Sequence, residues 1–360
     1  MACKSLLMKI SIFHINIILL TAFGYEVSAL DLDKRDIHEF KAIVEVEETI
    51  YDPLPANNGA GPLWNYGSPL VVRDGDTVFV SGLETITNLK PLNNCRCLIY
   101  KRDKEGWRVT YSDNEGRQRE PCPLGIKDTG QLWLSSNPTL TVPNTYGGPS
   151  DPQLINVGIS GSKSSATILR PSWLENPGFS EHSYRGMAVD RSNAEVFITN
   201  IYMYDKTYWS FLDKQGQWRQ GVILFPEADY PDKQPTRIRL CYPNIGLRDK
   251  AVHYFAVSDI IEPNLEWRQY KYELTNKKSW DYDFRRLFYT WTPDISKSSF
   301  APFIEVASRE KSGGHCWNMD LWVTPQTESR DQTVFLLWLE ESLDKRLRPK
   351  FIPNEIAWTK

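Results

Sequence analysis

The chain has 360 residues, room for one large domain or two ordinary ones, and a net charge of -3 at neutral pH. A charge this small, with no basic run, argues against a nucleic-acid binder. The 13 Trp, 17 Tyr and 15 Phe favour strands, and such side chains also stack on sugars and fill sheet interfaces.

Residues 1–29 read as an export signal. Lys4 and Lys9 give a basic start, Ile10 to Ala22 an apolar stretch, and Val27-Ser28-Ala29 a small-residue cleavage site. The apolar stretch holds His14 and Asn16 and is short for a membrane span. A secreted or periplasmic protein is expected, with no integral span after cleavage and residues 30–360 as a single domain. Export permits disulfides, but removing Cys3 leaves an odd five: Cys95, Cys97, Cys122, Cys241 and Cys316. At least one is unpaired within the chain, and buried apolar thiols are the simplest reading of most of them.

After the signal, 31–49 is charged and begins as a short helix. Phe40–Ile50 alternates like a strand, and 53–67 is turn-rich. A unit then recurs. SPLVVRDGDTVFVSG (68–82), CPLGIKDTGQLWLSS (122–136), YRGMAVDRSNAEVFITN (184–200) and YPNIGLRDKAVHYFAVS (242–258) are each an apolar strand, a polar turn and a second apolar strand. A weaker fifth copy fills 318–338. The turn aspartates Asp74, Asp128, Asp190 and Asp249 lie 54, 62 and 59 residues apart. Strands at that period, with no sustained helical pattern, predict an all-β fold, a β-propeller of four-stranded antiparallel blades. Five blade units are countable; the alternative is a shortened six- or seven-bladed ring. Naming the strands A to D from channel to rim, blade one takes 69–73, 77–81, 96–101 and 107–112. Blade three takes 187–189, 196–199, 208–212 and 218–224. Blade four makes a long excursion over 259–281, and Phe40–Ile50 is the candidate to close blade five.

Two turns between strands C and D share an Asp, a Gly and an aromatic: Asp103, Gly106 and Trp107, then Asp213, Gly216 and Trp218. The Asp can close the turn on backbone N–H groups, the Gly can take positive φ, and the Trp can plug the blade. These turns resemble the Asp-box (BNR) repeats of the sialidase-like superfamily, which lie between third and fourth strands, although neither has the usual Ser or Thr two residues before the Asp. The stretches WNYGSPLVVRDGDTVFVSGLET, HSYRGMAVD and WDYDFRRLFYTWTPDI also resemble secreted BNR-type bacterial proteins. The resemblance implies a propeller more firmly than it implies an activity.

In such a ring, the starts of strand A and the ends of strand B open on one face. Trp64, Tyr66, Arg119, Glu120, His182, Tyr184, Arg185, Arg239, Tyr242, His315, Trp317, Asn318 and Asp320 enter strand A. Glu84, Asn137, Asn200, Asp259 and Glu262 leave strand B. Packing alone would make these positions small or apolar. Eliminating a uronate needs a group on the carboxylate, a base for the C5 proton and an acid for the leaving oxygen. His182, Tyr184 and Arg185 supply those types together, with His182 as base or acid, Tyr184 as its partner, Arg185 or Arg239 on the carboxylate, and His315 facing the same opening. Tyr66, Glu84, Arg119, Glu120, Arg239, Tyr242, Trp317, Asn318 and Asp320 are expected to bind substrate. The expected partner is therefore an anionic poly- or oligosaccharide, and the reaction lyase-type.

Two alternatives stand beside it. A glycoside hydrolase would pair carboxylates from Glu84, Glu120 and Asp320; sialidases hold their substrate carboxylate with three arginines, and Arg119, Arg185 and Arg239 lie near the starts of blades two, three and four, but they do not match a sialidase motif one by one. A glycan- or protein-binding propeller would do no chemistry. Cys122, Cys241, Cys316, His182 and His315 are zinc-ligand types at similar depth, but none has the close spacing of a zinc motif, so neither zinc nor calcium is assigned. No phosphate-cradling Gly loop, nucleophile elbow or H-E-x-x-H is present.

Overall fold

The structure, a computed structural model, describes residues 18–21, 28–29, 43–44, 46–128, 130–158, 165–230, 236–276, 282–325 and 332–351. Val27 of the expected cleavage site, the start of the expected helix at residue 31 and the tail beyond 351 lie outside the described residues, whereas Ser28 and Ala29 form a strand. Five four-stranded antiparallel sheets form the propeller. Four are consecutive in sequence: Val71–Asp74 to Gly106–Ser112, Leu124–Ile126 to Ser165–Leu169, Gly186–Asp190 to Trp218–Leu224, and Leu240–Arg248 to Ile304–Ser308. Blade five joins His315–Val323 and Thr333–Glu341 to Ile18–Thr21 and Ser28–Ala29. Its third strand therefore comes from within the stretch read as a signal, not from Phe40–Ile50, whose described residues form no strand. Cleavage after Ala29 would remove both outer strands of this blade.

Apolar runs set the inner strands of the blades. In blade three Val189 pairs with Val196, Phe197 with Phe211, and Leu212 with Trp218. Its second strand is buried along its whole length, as a strand covered on both faces should be. Side chains of neighbouring blades meet in shared clusters, such as Phe79 and Ile99 of blade one with Leu124 and Leu134 of blade two. Inner strands of all five blades line one axial cavity of about 330 Å³.

The repeated aspartates tie the A-to-B turns together. Arg191 bonds Asp74 at 2.5 Å, Asp128 at 2.6 Å and the carbonyl of Arg73 at 2.9 Å. Asp190 accepts the backbone N–H of Asp249 at 2.7 Å. Blades one to four are thus linked on the face opposite the strand-A starts. The two Asp-box-like turns also form as expected. Asp103 accepts the N–H of Glu105, Asp213 those of Gln215 and Gln217, and Gly106 and Gly216 have φ of 95° and 78°. Trp218 packs on a blade cluster, but Trp107 plugs nothing: it is half-buried and its indole donates to Glu48.

Blade four's excursion contains a helix, Leu265–Leu274, that the sequence pattern does not predict. Asn264 caps it by accepting the N–H groups of Glu266 and Trp267. Its inward residue is Lys271, only 2% exposed, so no apolar stripe marks it. On the same face, Trp64–Ser68 crosses the ring. Asn65 donates to the carbonyl of Arg185 at 2.5 Å, Ser68 donates to the same oxygen, and Asn244 donates to the carbonyl of Gly67 at 3.2 Å. This crossing closes the axial channel at the strand-A end.

Candidate active site

Beside that crossing lies a cavity of about 980 Å³, bordered by the strand-A starts of blades one to four. Two of its tyrosines hold unusual backbone. Tyr184, just before strand A of blade three, has φ of 40°, and Tyr242, in a bulge of blade four's strand A, has φ of 51°. Left-handed conformations are costly for such residues and persist only where their surroundings fix them. Here they turn both rings onto the cavity floor, edge to face at 4.9 Å, with Trp64 stacked on Tyr184 at 5.3 Å.

His182 stands at the wall, its ring 4.4 Å from that of Tyr184. Its Nδ1 is 3.0 Å from Glu120, which also accepts the N–H and hydroxyl of Ser183. Burial raises the pKa of Glu120, but its bonds to His182 and Ser183 and the charge of Arg185 outweigh burial and hold it below the usual carboxylate range. An ionised Glu120 accepts a hydrogen bond from Nδ1–H, fixes the imidazole tautomer and leaves Nε2 for the cavity.

On the far wall Asp259 accepts from the hydroxyl of Tyr184 and the guanidinium of Arg239, both at 2.6 Å. Burial, then the neighbouring Cys241 and Asp259, push the Tyr184 phenol far above its ordinary value, and Arg239 only partly offsets this. Tyr184 therefore stays protonated, because burial and its anionic neighbours outweigh the charge of Arg239. Arg239 is sandwiched between Tyr204 at 4.7 Å and Tyr282 at 4.4 Å. Arg119 is different. Its Nε donates to the carbonyl of Asn58 at 2.9 Å and it lies 5.7 Å over Trp64, with no carboxylate partner among the described residues. Lys90, exposed at the rim, has none either.

Five expected residues thus meet at the cavity: Arg119, His182, Tyr184, Arg239 and Tyr242. Glu120 supports His182 from behind instead of touching ligand. Tyr66 lies against Tyr242 at 4.6 Å and does not line the cavity. The rest are corrected. Arg185 is 1% exposed and points into the blade interface, bonding the carbonyl of Pro121 at 2.7 Å, while the left-handed backbone at Tyr184 turns that ring to the cavity. Asn318 clamps blade five to blade four through the carbonyl of Tyr242 and the side chain of Asn244, each at 2.6 Å. Asp320 is exposed and accepts the N–H of Leu321. Glu84 pairs with Arg96 at a separate cavity of about 490 Å³.

His315 belongs to a buried charge cluster elsewhere, with Trp317 beside it. It lies 3.3 Å from Asp283 and 3.6 Å from Asp344. These three are the one candidate metal-ligand group among the described residues. However, the ammonium of Lys271 lies 2.6 Å from Asp283, 2.8 Å from Glu262 and 3.1 Å from Asp344, and Arg285 also bonds Glu262. A cation's place is already taken by side chains. The imagined zinc set is not assembled: Cys122 lies in one core cluster, Cys241 and Cys316 in another.

The sequence reading placed Trp64 and Asp259 at the opening without assigning roles. It missed Asn57–Gly59, Lys90–Leu92, Asn144, Tyr146, Tyr204, Tyr282 and Phe284. These lie outside the repeated strand A–turn–strand B unit, where equivalence between blades carries no signal.

No protein-family model matches this chain, and no curated protein matches it in sequence. Among solved structures, it is similar to the alpha-L-arabinofuranosidase Arb93A from Fusarium graminearum, at 12% identity and TM-score 0.40, over 76% of this chain and 80% of that one. It is similar to the endo-arabinase from Bacteroides thetaiotaomicron at 11% identity and TM-score 0.41, over 82% and 100%. It is also similar to a PL25 ulvan lyase at 10% identity and TM-score 0.41, over 76% and 66%. At such scores none of them bears on the activity or the site residues of this chain.

Proposed function

We propose that the cavity is the active site of a lyase that cleaves an anionic polysaccharide by β-elimination at a uronate. The observation that carries this reading is the pairing of His182 with a buried, ionised Glu120, beside an Arg119 that has no carboxylate partner among the described residues. Arg119 would take the uronate carboxylate and so stabilise the charge that develops when C5 loses its proton. The C5–H bond breaks and the proton passes to His182 Nε2. The C4–C5 double bond forms as the C4–O bond breaks. The leaving oxygen takes the proton of Tyr184, which the proton on His182 then replaces. A phenol with a raised pKa is a weak acid, but an oxygen departing as an alkoxide is basic enough to receive its proton.

The carboxylate-pair alternatives are less well supported. Asp259 is the one carboxylate lining the cavity among the described residues, and Tyr184 and Arg239 already occupy one of its oxygens. The three-arginine grip loses Arg185.

The test follows absorbance at 235 nm and reducing ends together on a panel of uronate-containing and sialylated glycans. Lyase action raises both, because its product carries a double bond next to the carboxylate, and His182→Ala abolishes both while keeping the fold. Reducing ends without absorbance would establish hydrolysis instead. Saturable binding with neither signal would make the cavity a glycan-binding site.

A further inference from the structure

Arg119 is half-buried at the cavity, and neither of its terminal nitrogens has a hydrogen-bond partner among the described residues. Its guanidinium is nevertheless held from three sides. Nε donates to the carbonyl of Asn58 at 2.9 Å, and the face of Trp64 lies 5.7 Å away. Gly59 backs Nη2 so closely that an added Cβ would stand 2.9 Å from it. With Nε already bonded, Nη1 and Nη2 are what Arg119 can offer a ligand. The turn that holds it is itself pinned by one side chain. Asn57 and Gly59 take left-handed φ of 52° and 74°, and Asn58 between them is 2% exposed. Such backbone persists only where its surroundings fix it, and here the Asn58 amide supplies the fixing. Its Nδ2 donates to the carbonyl of Leu92 at 3.1 Å and to Oδ1 of Asn94 at 3.0 Å, with the carbonyl of Arg119 at 3.4 Å. Its Oδ1 accepts the N–H of Ala60 at 2.9 Å. One buried amide thus ties together three stretches that border the cavity, 57–59, 90–92 and 119.

We propose that Asn58 is the positioning residue for Arg119. Its side chain fixes the turn whose carbonyl takes Nε, and this presents Nη1 and Nη2 to the cavity as a pair matched to the two oxygens of a carboxylate. The inference rests on the reading of Arg119 as the grip on the uronate, and it adds how that grip selects its ligand. A guanidinium free to turn would keep its charge but would meet a carboxylate with one bond or none, and would lose most of its preference for an acidic sugar over a neutral one. Gly59 serves the same end by leaving room. A side chain there would press on the far end of Arg119, and the guanidinium, as the flexible partner, would yield before the backbone. Asn58 itself touches no substrate in this scheme; it acts through Arg119.

The experiment is a double-mutant cycle on binding, in the full chain carrying His182→Ala so that nothing is cleaved. Calorimetry measures Kd for a uronate oligosaccharide and for the same oligosaccharide with its carboxyls reduced to alcohols. Arg119→Gln should weaken uronate binding and leave the neutral compound unchanged, which tests the grip itself. Asn58→Ala should weaken uronate binding roughly five- to tenfold, spare the neutral compound, and have no further effect once Arg119→Gln is present. Gly59→Ala should repeat that pattern, and it decides the matter where Asn58→Ala does not fold. An equal loss with and without Arg119, or an equal loss for both ligands, would make Asn58 a structural residue and overturn the proposal. Undiminished uronate binding by both variants would overturn it too. If uronate binding survives Arg119→Gln, or is absent with Asn58 and Arg119 both in place, the grip fails and the positioning role falls with it.

Discussion

Glu120 and His182 carry the chemistry at the smallest scale, and their separation of roles is measurable. Glu120 touches no ligand in the proposed reaction; it fixes the imidazole. Glu120→Gln should therefore lower kcat by roughly 100-fold or more while leaving KM within a few-fold, because it changes which nitrogen carries the proton and not how substrate is held. A matched rise in KM with unchanged kcat would instead make Glu120 a binding residue. Arg119→Gln should do the opposite of pure positioning: it loses the carboxylate contact in both ground and transition states, so KM rises and kcat/KM falls most, by roughly 10- to 100-fold. A second histidine governs stability. His253 is buried in blade four, its Nδ1 2.7 Å from the hydroxyl of Tyr289, and burial pushes its pKa down to about 4 from the usual 6.5. A depressed pKa favours the neutral ring in the folded state. Its stabilising contribution is complete above pH 6.5 and is lost as pH falls toward 4, by about 3 kcal/mol in all. Urea unfolding across that range should show this slope, and His253→Phe should flatten it.

Strands and helix differ in how far they could be read. The apolar runs within Thr77–Thr85, Glu195–Ile201 and Ala251–Ser258 place these strands within a few residues, because an inner blade strand buries side chains against both neighbouring blades. The helix Leu265–Leu274 was not legible because what it buries is a charge. Lys271 sits among Glu262, Asp283 and Asp344, so the link holding the helix is electrostatic and leaves no apolar period. Blade five's outer strands were missed for another reason: sequence alternation cannot say which distant segment completes a sheet. The helix link gives a prediction. Lys271→Met leaves three buried carboxylates short of their common cation and should cost about 3–5 kcal/mol, the usual penalty for breaking a buried pair from one side. The urea midpoint measures it. A variant as stable as wild type would mean that Arg285 and Arg346 suffice. Because Tyr282 and Phe284 flank Asp283 and line the cavity, the same variant should weaken ligand binding.

Across the whole molecule, the repeat told which positions share a face but not which side of each strand start looks inward. Arg185 and Tyr184 are neighbours in sequence, and only one reaches the cavity. Blade five obeyed the repeat in topology, yet none of its described residues lines the cavity, and its bulge at Asn318 grips blade four instead. What unites the cavity with the ring is the crossing at Trp64–Ser68, which carries Trp64 onto Tyr184 and bonds to blades three and four. Gly67 is its closest point. A Cβ there would stand 1.9 Å from the carbonyl oxygen of Tyr242, against backbone that the bulge and Asn318 hold in place. Neither side can yield without moving a blade. Gly67→Ala should therefore destabilise the fold by about 2–4 kcal/mol and, in whatever fraction remains folded, displace Trp64 from the site. Thermal melting reads the first effect, and Trp fluorescence with glycan titration reads the second. Gly75→Ala is the control: it lies in an A-to-B turn where an added Cβ meets no atom within 4 Å, so any loss there reflects its φ of 56° alone and should be about 1 kcal/mol. Equal losses in the two variants would mean that the crossing does not hold the ring together; a larger loss at Gly67, accompanied by loss of binding, would tie the site's geometry to closure of the propeller.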